Sequence, residues 1–138
     1  VADPGAELVR LAHRNNIRII PLVGPSSILL ALMASGLNGQ QFAFNGYLPI
    51  ESNARISKII ELEKLSISRN QTQIFIEAPY RNQKLLEQLV KTCSDSTNLC
   101  IASHLTFSNE MVATRTVKEW NRSLPDINKI PTIFLLHG

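Results

Sequence analysis

Residues 17–23, Ile-Arg-Ile-Ile-Pro-Leu-Val, run straight into Gly24-Pro25-Ser26-Ser27 and then into a helical pattern from Ile28 to Ser35. This strand, small-residue turn and helix constrain the chain more than any other feature. A near-continuous apolar strand is expected to be buried on both faces, as in a parallel sheet. The turn leaves backbone N–H groups exposed at the helix start, which suits ligand binding. Gly36 stands where it would terminate the helix.

The rest of the chain continues the alternation. Asp3-Pro4-Gly5 reads as a helix start, with Asp3 as cap and Pro4 in the first turn. Leu8, Leu11 and Ala12 recur at helical spacing, and that helix should end near Asn15-Asn16. Phe42-Ala43-Phe44 reads as a short strand, and Asn53 as the cap of a helix to about Leu65 with Ile56, Ile59, Ile60 and Leu62 inward. Strands are expected over 72–78, 99–104, 111–115 and 132–137. Helices are expected over 81–92, with Leu85, Leu86, Leu89 and Val90 inward, and over 117–120. The stretch from Asn121 to Lys129 reads as a surface loop. Strands alternating with helices imply an α/β fold. The last three strands have one short helix among them, so the sheet should be mixed and partly antiparallel: an α/β/α sandwich.

With 138 residues and 44% hydrophobic content, the chain can bury one compact core. A net charge of +3 with no run of like charges permits an acidic partner without demanding one. Cys93 and Cys100 fit a helix end and a core strand rather than a disulfide scaffold, which makes a reducing cytoplasm the simplest location. No apolar stretch reaches the eighteen residues expected of a membrane span. The chain begins at Val1 and enters a helix at once, so it is expected to be a piece of a longer protein, cut just before Asp3.

Several chemistries lack their signature. No Gly-x-Ser-x-Gly elbow, zinc-ligand spacing, Walker loop or Gly-x-Gly-x-x-Gly occurs, and His13, His104 and His137 have no nucleophile motif beside them. What remains is the Gly-Pro-Ser-Ser turn and its neighbours.

Those residues resemble a family. Asp3-Pro4-Gly5, then Val23-Gly24-Pro25-Ser26-Ser27 followed by Ala31, Ala34, Ser35, Gly36 and Leu37, look like the middle of a tetrapyrrole-methylase superfamily domain. Phe44-Asn45-Gly46-Tyr47-Leu48-Pro49, Glu77-Ala78-Pro79-Tyr80-Arg81, Leu105-Thr106 and Asn109-Glu110 are similar to elements of one branch, the bacterial small-subunit ribosomal RNA 2′-O-methyltransferases. The chain departs from that branch at Ile50 to Arg55, which replaces an Arg- and Lys-rich stretch. Ser103-His104 stands where the branch has Arg-Glu, and Tyr80 replaces a histidine.

The resemblance implies a two-halved α/β fold that binds S-adenosylmethionine in the cleft between the halves. Residues 1–40 would end the N-terminal half, and residues 41–138 would form the C-terminal domain. The glycine-rich first loop would lie in the missing N-terminal half. Donor contacts would come from Ser26, Ser27, Ile28, Ile76, Glu77, Thr114 and Thr132, and acceptor contacts from Tyr80 and Arg81. Strand ends such as 99–102 and 111–114 would supply the adenine slot. The implied protein is a homodimeric methyltransferase acting on ribosomal RNA, with no metal and no membrane. A tetrapyrrole or other small-molecule acceptor stays open, as does a non-catalytic binding or dimerisation module.

Each residue also has a plain structural role to set beside this. Ser26 and Ser27 could cap their helix. Glu77 could pair with Arg81. Thr114 and Thr132 could be ordinary strand residues, and Tyr80-Arg81 could simply open the next helix.

Overall fold

A computed structural model describes residues 4–138. Asp3, the expected helix cap, lies outside the described residues. Five strands, β1 (Phe42–Tyr47), β2 (Thr72–Ile76), β3 (Asn98–Ser103), β4 (Met111–Thr116) and β5 (Thr132–His137), form one sheet in the order β1-β2-β5-β3-β4. β1 and β2 are parallel; the pairs β2–β5, β5–β3 and β3–β4 are antiparallel. The mixed sheet expected from the sequence is therefore present.

The helices are α1 (Ala6–Arg14), α2 (Ser27–Ser35), α3 (Ser52–Arg69), α4 (Asn82–Thr92) and α5 (Val117–Trp120). Alternation along the strands divides the core. Phe75, Leu99, Ile101, Phe134 and Leu136 join α3, α4 and α5 on one face; Ile74, Cys100, Ala102, Ile133 and Leu135 join α2 on the other. Both faces of β3 and β5 are thus covered, which is why those strands read as continuous apolar runs. The sandwich is lopsided, because α1 buries no residue.

The expected strand over residues 17–23 does not form. The stretch has no regular structure, and Ile17, Ile20, Leu22 and Val23 are exposed, Val23 completely. Apolar patterning records what a strand must bury, but a strand exists only where neighbours take up its N–H and C=O groups. None of the described strands pairs with it.

The start of α3 also differs. Glu51, not Asn53, is the cap: its carboxylate accepts from the N–H groups of Asn53 and Ala54 at 3.0 and 2.7 Å, which holds its pKa low. The helix runs four residues past Leu65, and its buried positions are Arg55, Ile59, Leu62, Glu63 and Ser66. Ile60 faces outward and Ile56 is only half-buried, because Arg55 and Glu63 occupy the inward stripe.

Cys93 caps the C-terminus of α4, and burial next to Glu63 pushes its thiol up to about 12. With the folded value above the ordinary 9.0, stability is unaffected below about pH 9 and declines as the pH rises from there toward about 12. Chemical unfolding at stepped pH should show that decline, and Cys93→Ala should remove part of it. An equal slope in the variant contradicts the assignment.

Candidate active-site cavity

β1, β2 and β3 all run in one direction, so their carboxyl ends share an edge of the sheet with the amino end of β5. Ligands of open α/β sheets bind beyond the carboxyl ends of strands. At this edge lies a cavity of about 410 Å³ lined by Ser27, Ala102, His104, Leu105, Phe107, Pro131, Thr132 and Ile133. That volume falls within the few hundred cubic ångströms common for small-molecule sites.

Ser27 enters from the first turn of α2. Ser26 occupies the cap position with extended backbone, yet its side chain makes no cap bond. The first intrahelical bond runs from Leu30 N to Ser26 O. The N–H groups of Ser27, Ile28 and Leu29 thus lack intrahelical acceptors, as in any first helical turn. Thr132 opens β5 opposite Ser103, with its hydroxyl donating to Ile130 O at 2.9 Å.

The far wall is a strained loop after β3. His104 and Thr106 have φ of +51° and +71°; for a β-branched residue such as Thr106 this is a costly conformation. Tertiary bonds hold it: His104 N donates to Pro131 O, Phe107 N to His104 O, and Thr106 N to Glu110 Oε2 at 2.6 Å.

Beside the cavity, Glu77 follows β2 with its side chain almost fully buried. Oε1 accepts from Arg81 Nη2 and from Ala78 N, each at 2.7 Å; Oε2 faces Arg55 Nη1 at 3.7 Å. The hydrogen bond to Glu77 raises the Arg81 pKa further above its ordinary value. Arg55, 2% exposed, donates through Nε to Gln88. Arg81 also donates to Tyr80 Oη at 2.6 Å and lies 4.8 Å from the centre of that ring.

The expected site residues therefore separate. Ser27 and Thr132 line one cavity, together with Ala102 from the expected strand-end slot. Ser26 precedes Ser27, and Ile28 packs on the α2 side of the sheet. Ile76 packs on that same face. The Glu77 carboxylate is taken up by two guanidinium groups, the plain structural reading of that residue. Thr114 Oγ1 donates to Ser35 O at 2.7 Å, tying β4 to the end of α2. Tyr80 and Arg81 sit in a 3-10 turn (Pro79–Arg81) at the same sheet edge. Residue patterning missed the lining by His104, Leu105, Phe107, Pro131 and Ile133; the rule that ligands bind at strand carboxyl ends points to that edge.

Among the described residues, no group of three or more His, Cys, Asp or Glu gathers as metal ligands, and no helix is long and apolar enough to cross a membrane.

No family model matches the chain. Curated relatives do. The chain is 31% identical to ribosomal RNA small subunit methyltransferase I of Vibrio cholerae, over 100% of this chain and 48% of that protein. The enzyme of the same name from Mesorhizobium japonicum is 35% identical over 86% of this chain and 39% of its own length. The chain spans about half the length, or less, of the curated relatives it matches. Among solved structures, the fold is similar to that of the methyltransferase CobJ, with TM-score 0.59 and 14% identity over 96% of this chain and 56% of that one. It is equally similar to the cobalt precorrin-4 methyltransferase CbiF, with TM-score 0.59 and 15% identity over 97% of this chain and 58% of that one. In sequence and in fold, the chain belongs to the tetrapyrrole-methylase superfamily, alongside the small-subunit ribosomal RNA methyltransferases I.

Proposed function

We propose that the chain is the C-terminal part of a methyltransferase that moves a methyl group from S-adenosylmethionine to a ribose 2′-hydroxyl of small-subunit ribosomal RNA. In this reading residues 1–40 close the N-terminal half, whose own sheet would take up the exposed apolar stretch over residues 17–23. The whole protein would act in the cytoplasm as a homodimer. The observation that carries the proposal is the edge cavity, in a chain whose curated relatives are named ribosomal RNA methyltransferases.

The cavity fits the donor chemically. Its walls are mostly apolar, as an adenine ring requires, and the first turn of α2 offers N–H groups beside Ser27 for an oxygen of the ligand. The donor supplies an electrophilic methyl group on a sulfonium. The protein's task is then chiefly to hold the acceptor oxygen in line with that methyl group, and such positioning supplies much of a transfer rate. Loop 104–107 and Pro131 keep water from one side of the cavity. Tyr80 and Arg81 would meet the acceptor at its mouth.

Calorimetry of the full-length protein with S-adenosylmethionine tests this directly, with one donor site per subunit expected. The 138-residue chain alone should bind weakly or not at all. Micromolar binding by that chain would refute the division of the site between two halves.

A further inference from the structure

We infer that the carboxyl edge of the sheet holds an unpaired stretch of the acceptor RNA by stacking, with Tyr47, Tyr80 and Phe107 as the stacking side chains around the cavity. This rests on the methyltransferase reading above and adds how its acceptor is recognised.

The distribution of aromatic residues carries the inference. The chain has five Phe, two Tyr and one Trp. Phe75, Trp120 and Phe134 are core, and Phe44 packs partly buried under α2. Phe42 starts β1, at the far end of the sheet, and is 39% exposed. The three most exposed rings, Tyr47 at 62%, Tyr80 at 65% and Phe107 at 66%, all belong to the carboxyl edge. Tyr47 ends β1, Tyr80 follows β2, and Phe107 follows β3. Three strand intervals separate β1 from β3, about 14 Å at the usual spacing. The start of β5, with Thr132 in the cavity wall, lies between the Tyr80 and Phe107 strands. A chain of nucleotides laid along the edge would cross the cavity mouth with rings on either side.

Two of the rings have side-chain contacts that hold them, and the third is aimed by its backbone. Gly46, at φ +66°, accompanies the bulge between Phe44 and Tyr47, and such bulges redirect the side chain that follows. Tyr80 is clamped by Arg81, itself anchored on buried Glu77. Phe107 stands edge-on to His104 at 6.3 Å in the strained loop. Rings fixed before binding lose little freedom when a base stacks on them.

Unpaired RNA fits such a surface and duplex RNA does not, because paired bases hide their faces in the helix. Charge contributes little here. Arg55 and Arg81 are both turned to Glu77, and the backbone N–H of Lys129 donates to Pro79 O, which brings one further cation near this edge. Affinity should therefore depend only weakly on salt, with a slope equivalent to a few phosphate contacts.

Fluorescence anisotropy on the full-length protein tests this, using a labelled short oligouridylate and a short RNA duplex. The single strand should bind at least about tenfold tighter than the duplex. Tyr80→Ala and Phe107→Ala should each weaken single-strand binding by about fivefold or more, while Tyr80→Phe, which keeps the ring, stays within about twofold of the parent. Tyr80→Ala should leave the calorimetric affinity for S-adenosylmethionine within about twofold. The inference is overturned if both alanine variants bind the single strand like the parent. Equal binding of the duplex, or a loss in Tyr80→Phe matching that in Tyr80→Ala, would overturn it too. Failure of the parent protein to bind S-adenosylmethionine in calorimetry strikes the methyltransferase reading instead, and the anisotropy series tests the stacking separately.

Discussion

Glu77→Ala should destabilise the protein by about 3–5 kcal/mol, the usual cost of removing one partner from a buried ion pair. The magnitude follows from Arg55. Its side chain is 2% exposed and its charge faces Glu77 Oε2 at 3.7 Å, so without the carboxylate it is a buried cation left with Gln88 as its hydrogen-bond partner among the described residues. Arg81, at 23% side-chain exposure, can turn to solvent and loses less. Arg81→Ala should therefore cost clearly less than Glu77→Ala. Thermal unfolding of the full-length protein should show the alanine variant of Glu77 melting roughly 10 °C lower. A loss below about 1 kcal/mol would mean that the network is solvated and does not fix this end of the sheet.

The second large effect concerns the cavity. Ser27→Trp places a bulky ring at the start of α2, where the native side chain is exposed and lines the cavity of about 410 Å³. Donor affinity should fall at least about a hundredfold, close to 3 kcal/mol. Folding should be nearly unchanged, because exposed positions tolerate substitution within about half a kcal/mol. Calorimetry alongside a melting curve separates the two. A variant that keeps its donor affinity would place the adenosyl group elsewhere.

Much of the fold is legible in the sequence, for a physical reason. β3 and β5 bury both faces, so Leu99 to Ala102 and Ile133 to Leu136 announce themselves as apolar runs. Helix α4 carries its inward residues Leu85, Leu86, Leu89 and Val90 at helical spacing, and they are buried as expected. Residues 17–23 carry an equally strong signal yet form no strand, since patterning shows an apolar demand and not the neighbour that meets it. The charged interior was legible only at Glu77, whose pairing with Arg81 follows from their spacing. Arg55 and Glu63 look like surface residues in sequence, and only their partners in space explain their burial: Glu77 and Gln88 for Arg55, Ser94 N and Thr97 Oγ1 for Glu63.

The candidate site divides in the same way. Ser27 and Thr132 are legible through the family resemblance and meet in one cavity. His104 and Phe107 are not, because their place in the wall depends on a positive-φ turn that no residue type there would lead one to expect. The resemblance also marks Ser103-His104 and Tyr80 as departures from the ribosomal RNA branch. Phe107 lines the cavity and Tyr80 follows β2 at the same sheet edge, where the choice of acceptor would be made.

The central claim is tested most directly by methyl transfer. Small ribosomal subunits from a strain lacking the gene should be incubated with the full-length protein and S-adenosylmethionine labelled in its methyl group. The account predicts label in the small-subunit RNA, on a ribose 2′-oxygen, and no transfer by Ser27→Trp. Transfer to a tetrapyrrole with none to RNA would contradict the proposed acceptor, and the absence of any donor binding or transfer would contradict the methyltransferase reading itself.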